Sequence, residues 1–180
     1  LFLDDKTAIR GLVRLGFRSE KDKGMVDLTG GTATYPALWP QVEDEKKYKS
    51  TNIVIGGGYE MRRGKTRLQG YYGGDVLIWL SSSSREYTYG NALTTTYNDP
   101  SAISSTYFGD NITTDDYTNE ARILSSKSGM NIGIGVRGFI GVEYFLFPKI
   151  AIGAEYGWGI GFQKDGKSTL EVESYDATSN

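Results

Sequence analysis

From Met130 to Gln163, apolar residues alternate with small or polar ones on both sides of one tight break at Phe147-Pro148-Lys149. Successive side chains of a strand point to opposite faces, so this alternation predicts an antiparallel hairpin with one apolar face. Before the break, Met130, Ile132, Ile134, Val136, Ile140, Val142, Tyr144 and Leu146 share a side, against Gly133, Gly135, Arg137, Phe139, Gly141 and Glu143. After it, Ile150, Ile152, Tyr156, Trp158, Ile160 and Phe162 oppose Gly153, Glu155, Gly157, Gly159, Gly161 and Gln163. Strands of soluble sheets usually run about 5 or 6 residues, and these run past a dozen. Their second face carries glycine and opposite charges where a soluble sheet would show a wet lysine and threonine surface. Long strands with an apolar outside and a polar or small inside are what a bilayer requires of a β protein.

The pattern recurs in residues 7–19, 51–62 and 66–81, with a short turn expected at Arg63-Gly64-Lys65. A weak internal repeat aligns FLDDKTAIRGLVRLGF (2–17) with FLFPKIAIGAEYGWGIGF (145–162), which makes both short turns equivalent and Leu1 to Leu3 the tail of a strand. Short turns alternate with two long loops, 20–50 and 82–129, so the turns are expected at one rim and the loops at the other. The chain is expected to be a single domain, 1–180, incomplete at both ends. Leu1 is not a natural start residue, and one strand before the stub and one after Asn180 would complete an even barrel. The predicted fold is all-β: an antiparallel up-and-down transmembrane β-barrel of eight strands in the full chain.

Composition bounds the chemistry. Cysteine and histidine are both absent, which removes thiolate metal sites, disulfides and the commonest general base and metal ligand. No catalytic residue, metal or cofactor is expected. Glu143 and Glu155, each preceding a tyrosine, could be read as a carboxylate pair, but arginines on the same faces make ion pairing the simpler role. A formal charge of −2 argues against nucleic acid as a partner.

An eight-stranded barrel has an interior just wide enough to be filled by side chains. Arg10, Arg14, Arg18, Arg67 and Arg137 are expected to meet Glu60, Asp75, Glu143 and Glu155 there, since an unpartnered buried charge costs several kcal/mol. A plugged lumen is the first expectation, and a narrow pore or small-ligand barrel using those arginines the alternative. Phe17, Tyr59, Tyr72, Tyr144, Tyr156, Trp158 and Phe162 are expected to form lipid-facing aromatic girdles. A soluble lipocalin-like barrel, with the apolar faces inside, would put too many glycines on a wet surface.

The strings GVEYFLFPKIAIGAEYGWGIGF and GGGYEMRRGKTRLQGYYGGDVLIWLSS resemble the small eight-stranded outer-membrane β-barrel proteins of Bacteroides-type bacteria, over most of the chain. The resemblance implies the bacterial outer membrane as location, with long loops on the cell surface, and it implies no shared catalytic residues. Outer-membrane lipid is then an expected partner, with other envelope proteins a further one.

In the loops, Tyr35, Leu38 and Trp39 form an apolar knob, a candidate partner contact. Tyr87, Tyr89, Tyr97, Tyr107 and Tyr117 suit contact surfaces, whether for a protein, a glycan or neighbouring loops. Asp110, Asp115 and Asp116 lack the spacing of a calcium loop. The expected function is a non-enzymatic surface protein or accessory subunit of a larger outer-membrane complex.

Overall fold

A computed structural model describes residues 2–4, 6–32 and 39–175. The chain is all-β and antiparallel. Strands β1 (Phe2–Asp4), β2 (Thr7–Asp27), β3 (Gln41–Lys65) and β4 (Leu68–Thr88) precede a short helix α1 (Pro100–Ile103) and a 3-10 turn at Thr106–Phe108. Strands β5 (Ile112–Thr114), β6 (Glu120–Lys127), β7 (Asn131–Phe147), β8 (Ile150–Lys164) and β9 (Thr169–Ser174) follow. Pairing runs β1-β2-β3-β4; β4 pairs both β6 and β7, β7 continues to β8, and β6 pairs β5 and β9.

The chain divides into two units. The described residues of Leu1–Gly16, Thr51–Ser81 and Met130–Gly166 form the first, and those of Phe17–Ser50, Ser82–Gly129 and Lys167–Asn180 the second.

In the first unit the predicted alternation is realised in register. On the apolar face, large residues oppose large ones: Ile78 with Ile134, Ile134 with Phe162, Val136 with Ile160, Ile140 with Tyr156 and Tyr144 with Ile152. On the other face, a glycine stands opposite nearly every large side chain. Leu77 faces Gly135, Trp79 faces Gly133, Tyr71 faces Gly141, Phe139 faces Gly73 and Gly157, and Arg137 faces Gly159. Bulk on one surface and glycine on the other bends a sheet toward the glycine side, as in small barrels whose interior alternates small and large residues. Gly133 and Gly141 show why no other residue serves: a Cβ at Gly133 would overlap the Trp79 indole, and one at Gly141 the Tyr71 ring. The Trp79 indole N–H also donates to Gln163 Oε1 at 3.0 Å, which holds the ring flat over β7 and β8.

The strands run further than the alternation foretold. The expected loop 20–50 is shorter at both ends, because β2 reaches Asp27 and β3 begins at Gln41. Both faces of those extensions are polar, so no apolar period marks them. In the second unit, cross-strand charges stabilise them instead: Lys23 pairs with Glu43 at 2.8 Å, Lys21 with Glu45, and the Gln41 amide donates to Asp27 at 3.2 Å. The turn also moves. It lies at Thr66 and Arg67, not at 63–65, with Thr66 at a φ of 64°, while Gly64 stays in β3.

The expected loop 82–129 is largely folded. It begins only after Thr88 and holds α1, the 3-10 turn and a hairpin of β5 with β6. Asp99 caps α1 by accepting from the backbone of Ser101 and Ala102, with Pro100 in the first turn. The core beneath is polar. Asp44, fully buried, accepts from Gly90 N at 2.8 Å and Ser105 N at 2.7 Å. Asn91 donates to the carbonyls of Asp27 and Ile103 and accepts from Thr29 N. Buried Arg122 donates to the Asn91 carbonyl and to Glu173. Asp44, Asn91 and Arg122 each meet partners, as low dielectric demands, whereas the buried Ser104 hydroxyl has no hydrogen-bond partner among the described residues.

Candidate functional site: the charged face of the first unit

Residues two apart in a strand share a face, which puts Arg10 of β2, Glu60 and Arg62 of β3, Asp75 of β4, Arg137 and Glu143 of β7 and Glu155 of β8 on one surface. Asp75 and Arg137 are direct cross-strand partners, and Arg137 Nη2 lies 2.5 Å from Asp75 Oδ2. Arg137 also reaches Glu155 at 3.4 Å. Arg10 closes the set, with Nη1 at 2.7 Å from Glu155 Oε2 and Nε at 4.0 Å from Asp75 Oδ1. Arg10, Asp75, Arg137 and Glu155 thus form a ring of alternating charge.

The network extends along β3. Arg10 contacts Glu60 at 3.4 Å, Glu60 accepts from Arg62 Nε at 2.6 Å, and Arg62 Nη1 donates to Glu143 at 2.9 Å. Aromatic rings floor the cluster. The Arg10 guanidinium sits 4.0 Å over Phe139, and Arg62 stands 5.5 Å over Tyr71. Glu60, Asp75, Tyr71 and Phe139 are buried, whereas Arg10, Arg137, Glu143 and Glu155 remain partly open. Every charge has an opposite neighbour, so the cluster acts chemically as a mutually neutralising lattice that fills space. It offers no unpaired nucleophile or base.

The expected set is brought together only in part. Arg10, Glu60, Asp75, Arg137, Glu143 and Glu155 do converge. Arg14 is exposed and has no ion partner among the described residues. Arg18 belongs to the second unit and pairs with Glu20 on its own strand, 63% of its side chain exposed. Arg67 lies exposed in the turn, where its carbonyl accepts from Phe145 N at 2.8 Å. Parity places Arg14 and Arg18 on the arginine face, but no acid among the described residues pairs with Arg14. Arg62 takes the role expected of Arg67, and its spacing of two from Glu60 is the signal that finds it.

The residues named for the aromatic girdle, Tyr59, Tyr72, Tyr144, Tyr156, Trp158 and Phe162, all stand exposed on the apolar face of the first unit, and Phe17 is exposed in the second. Ile134, Val136 and Ile152 are more than half exposed as well, so the apolar surface covers no core of its own unit. Tyr35 and Leu38 lie outside the described residues; Trp39 is exposed.

Two of the loop tyrosines pack against neighbouring loop residues. Tyr87 is buried, and Tyr89 donates to the Ile123 carbonyl at 2.8 Å beneath the Arg122 guanidinium. Burial pushes the Tyr89 hydroxyl up to about 12 and raises Tyr87 further. Tyr97, Tyr107 and Tyr117 are exposed. Asp110 binds Lys46 at 2.7 Å, and Asp115 accepts from the backbone of Tyr117 and Asn119 in a local turn, so these carboxylates are committed to structure. No known protein-family model matches the chain, and no curated protein sequence matches it.

Proposed function

We propose that this chain is a non-enzymatic outer-membrane β-barrel protein whose lumen is filled by side chains, acting as a surface protein or as an accessory subunit of a larger envelope complex. One observation carries the reading: in the first unit the apolar face is exposed along every long strand, while arginines and carboxylates gather on the opposite face and neutralise one another. Water would favour the reverse arrangement, and hydrocarbon favours this one.

Strand length supports it. A spanning strand needs about 9–11 residues, and β2, β3 and β4 have 21, 25 and 21. Their charged residues 18–27 and 41–50 would then stand clear of the hydrocarbon. The curvature implied by the Arg10–Glu155 contact supports closure at eight strands, the size at which side chains fill the interior. No helix among the described residues is long and apolar enough to cross a membrane, so strands would be the spanning elements.

Folding into detergent or lipid and electrophoresis with and without boiling tests the reading. A heat-modifiable band that partitions with membranes is expected; a monomer purifying from the soluble fraction would refute it. Planar-bilayer recordings test the filled lumen, for which large steady currents from the unmutated protein would favour the narrow-pore alternative instead.

A further inference from the structure

The turn-bearing end of the first unit is strongly cationic. Between Met61 and Leu68 the chain reads Arg62-Arg63-Gly64-Lys65-Thr66-Arg67, without one acid, and Lys6 and Lys149 occupy the turns on either side. A cavity of about 500 Å³ opens there, lined by Lys6, Thr7, Arg62, Arg63, Gln69 and Tyr72 among others, with no carboxylate among the described residues of its wall. Arg62 is committed to Glu60 and Glu143. Lys6 and Arg63 are different, because neither side chain has an ion pair among the described residues. Among the described residues Asp4 is the near acid; it accepts from the backbone N–H of Lys6 at 2.7 Å and from the Thr7 side chain.

Two cations with no ion pair among the described residues, an amide and a tyrosine around one cavity suit a tetrahedral oxyanion more than a carboxylate or an apolar ligand. Tyr72 is exposed on the apolar face, where an aromatic residue beside basic ones is characteristic of the headgroup level of a membrane. We propose that this cavity binds a phosphate group, carried by an anionic phospholipid headgroup, with Lys6 and Arg63 supplying the charge and Gln69 an orienting hydrogen bond. The site rests on the barrel reading for its lipid source, though not for its phosphate chemistry.

The test is a calorimetric titration of the full chain in neutral detergent with dihexanoyl phosphatidylglycerol below its micellar concentration, alongside inorganic phosphate and dihexanoyl phosphatidylcholine. Saturable binding of the glycerol lipid, weaker binding of the choline lipid, and a loss of roughly fivefold for each of Lys6→Gln and Arg63→Gln are expected. Lys149→Gln removes a rim charge outside the cavity and should leave the affinity unchanged. Inorganic phosphate binding as tightly as the lipid, and equally sensitive to both substitutions, would keep the phosphate site and overturn its lipid source. Binding that is absent, or that falls as much with Lys149→Gln as with Arg63→Gln, would overturn the site. The titration needs no bilayer and can be repeated without detergent, so a failure here with a heat-modifiable protein rejects the site alone.

Discussion

Arg10 and Glu155 are 145 residues apart in the chain, on β2 and β8, yet Arg10 Nη1 lies 2.7 Å from Glu155 Oε2. The strand order between them is β2-β3-β4-β7-β8. In a flat sheet, four steps of about 4.8 Å would hold those strands roughly 19 Å apart. Their contact therefore reports the curl of the first unit, and the ion pair acts as a cross-brace on it.

Removing both partners should cost less than the sum of removing each. Arg10→Ala is expected to destabilise the folded protein by about 1–2 kcal/mol, below the value for a fully buried pair because both side chains are partly open. The double variant with Glu155→Ala should lose less than the sum of the single losses, whereas the swap Arg10→Glu with Glu155→Arg should not recover stability, because it sets like charges beside Glu60, Asp75 and Arg137. Urea titration of the detergent-folded protein, read as a double-mutant cycle, measures this; strict additivity would mean that the pair does not couple.

The glycine opposite Trp79 gives a packing test. Gly133→Ala places a methyl group into the indole, and the expected cost is about 1–3 kcal/mol with a red-shifted tryptophan emission as the ring is displaced. Gly74 faces only the backbone of β7 on the apolar side, where its nearest neighbour is the Arg137 carbonyl at 3.4 Å. Gly74→Ala should cost less than Gly133→Ala in the same denaturation assay.

The apolar face separates membrane from water directly. Ile140 is 63% exposed near the middle of β7. Ile140→Arg should reduce folding into bilayers by about 2–4 kcal/mol if that face meets hydrocarbon, whereas a water-facing site would tolerate it within about 0.5 kcal/mol. Folding yield into lipid vesicles against denaturant distinguishes the two.

Stability of the second unit should fall at both ends of the pH scale. Burial alone would raise the Asp110 carboxyl, but the Lys46 ammonium outweighs it and holds the group below its ordinary value of 3.8. That stability is present above 3.8 and is lost as pH falls through the lower folded value. Tyr89 behaves oppositely: its folded value of about 12 lies above the ordinary 10.0, so the folded state holds its proton longer, and stability declines as pH rises from 10 toward 12. Phenolate absorbance at 295 nm should show a late-titrating component that shrinks in Tyr89→Phe, and the same substitution should flatten the alkaline loss.

Asp44 ties the connection after β4 to β3. Asp44→Ala would strand the amides of Gly90 and Ser105, at a cost of about 2–4 kcal/mol for two buried donors. Limited proteolysis should then cut within residues 89–119, where the unmutated protein resists.

Faces and pairings were legible to different degrees in the sequence. Which side of each strand a residue takes is a local matter with a period of two, so Ile134 and Trp158 on one face and Arg137 and Glu155 on the other could be read directly. The polar extensions at 20–27 and 41–50 carried no apolar period, and the strands there are held by pairs such as Lys23 with Glu43 that only register creates. Partnership on the charged face depends on register and curvature together. These are set by nonlocal contacts between large side chains and glycines, and they decide that Arg62 joins the lattice while Arg14 and Arg67 stay outside it. The fold of residues 89–119 over Asp44 is likewise tertiary, since buried hydrogen bonds to a carboxylate leave no periodic trace in the chain that supplies them.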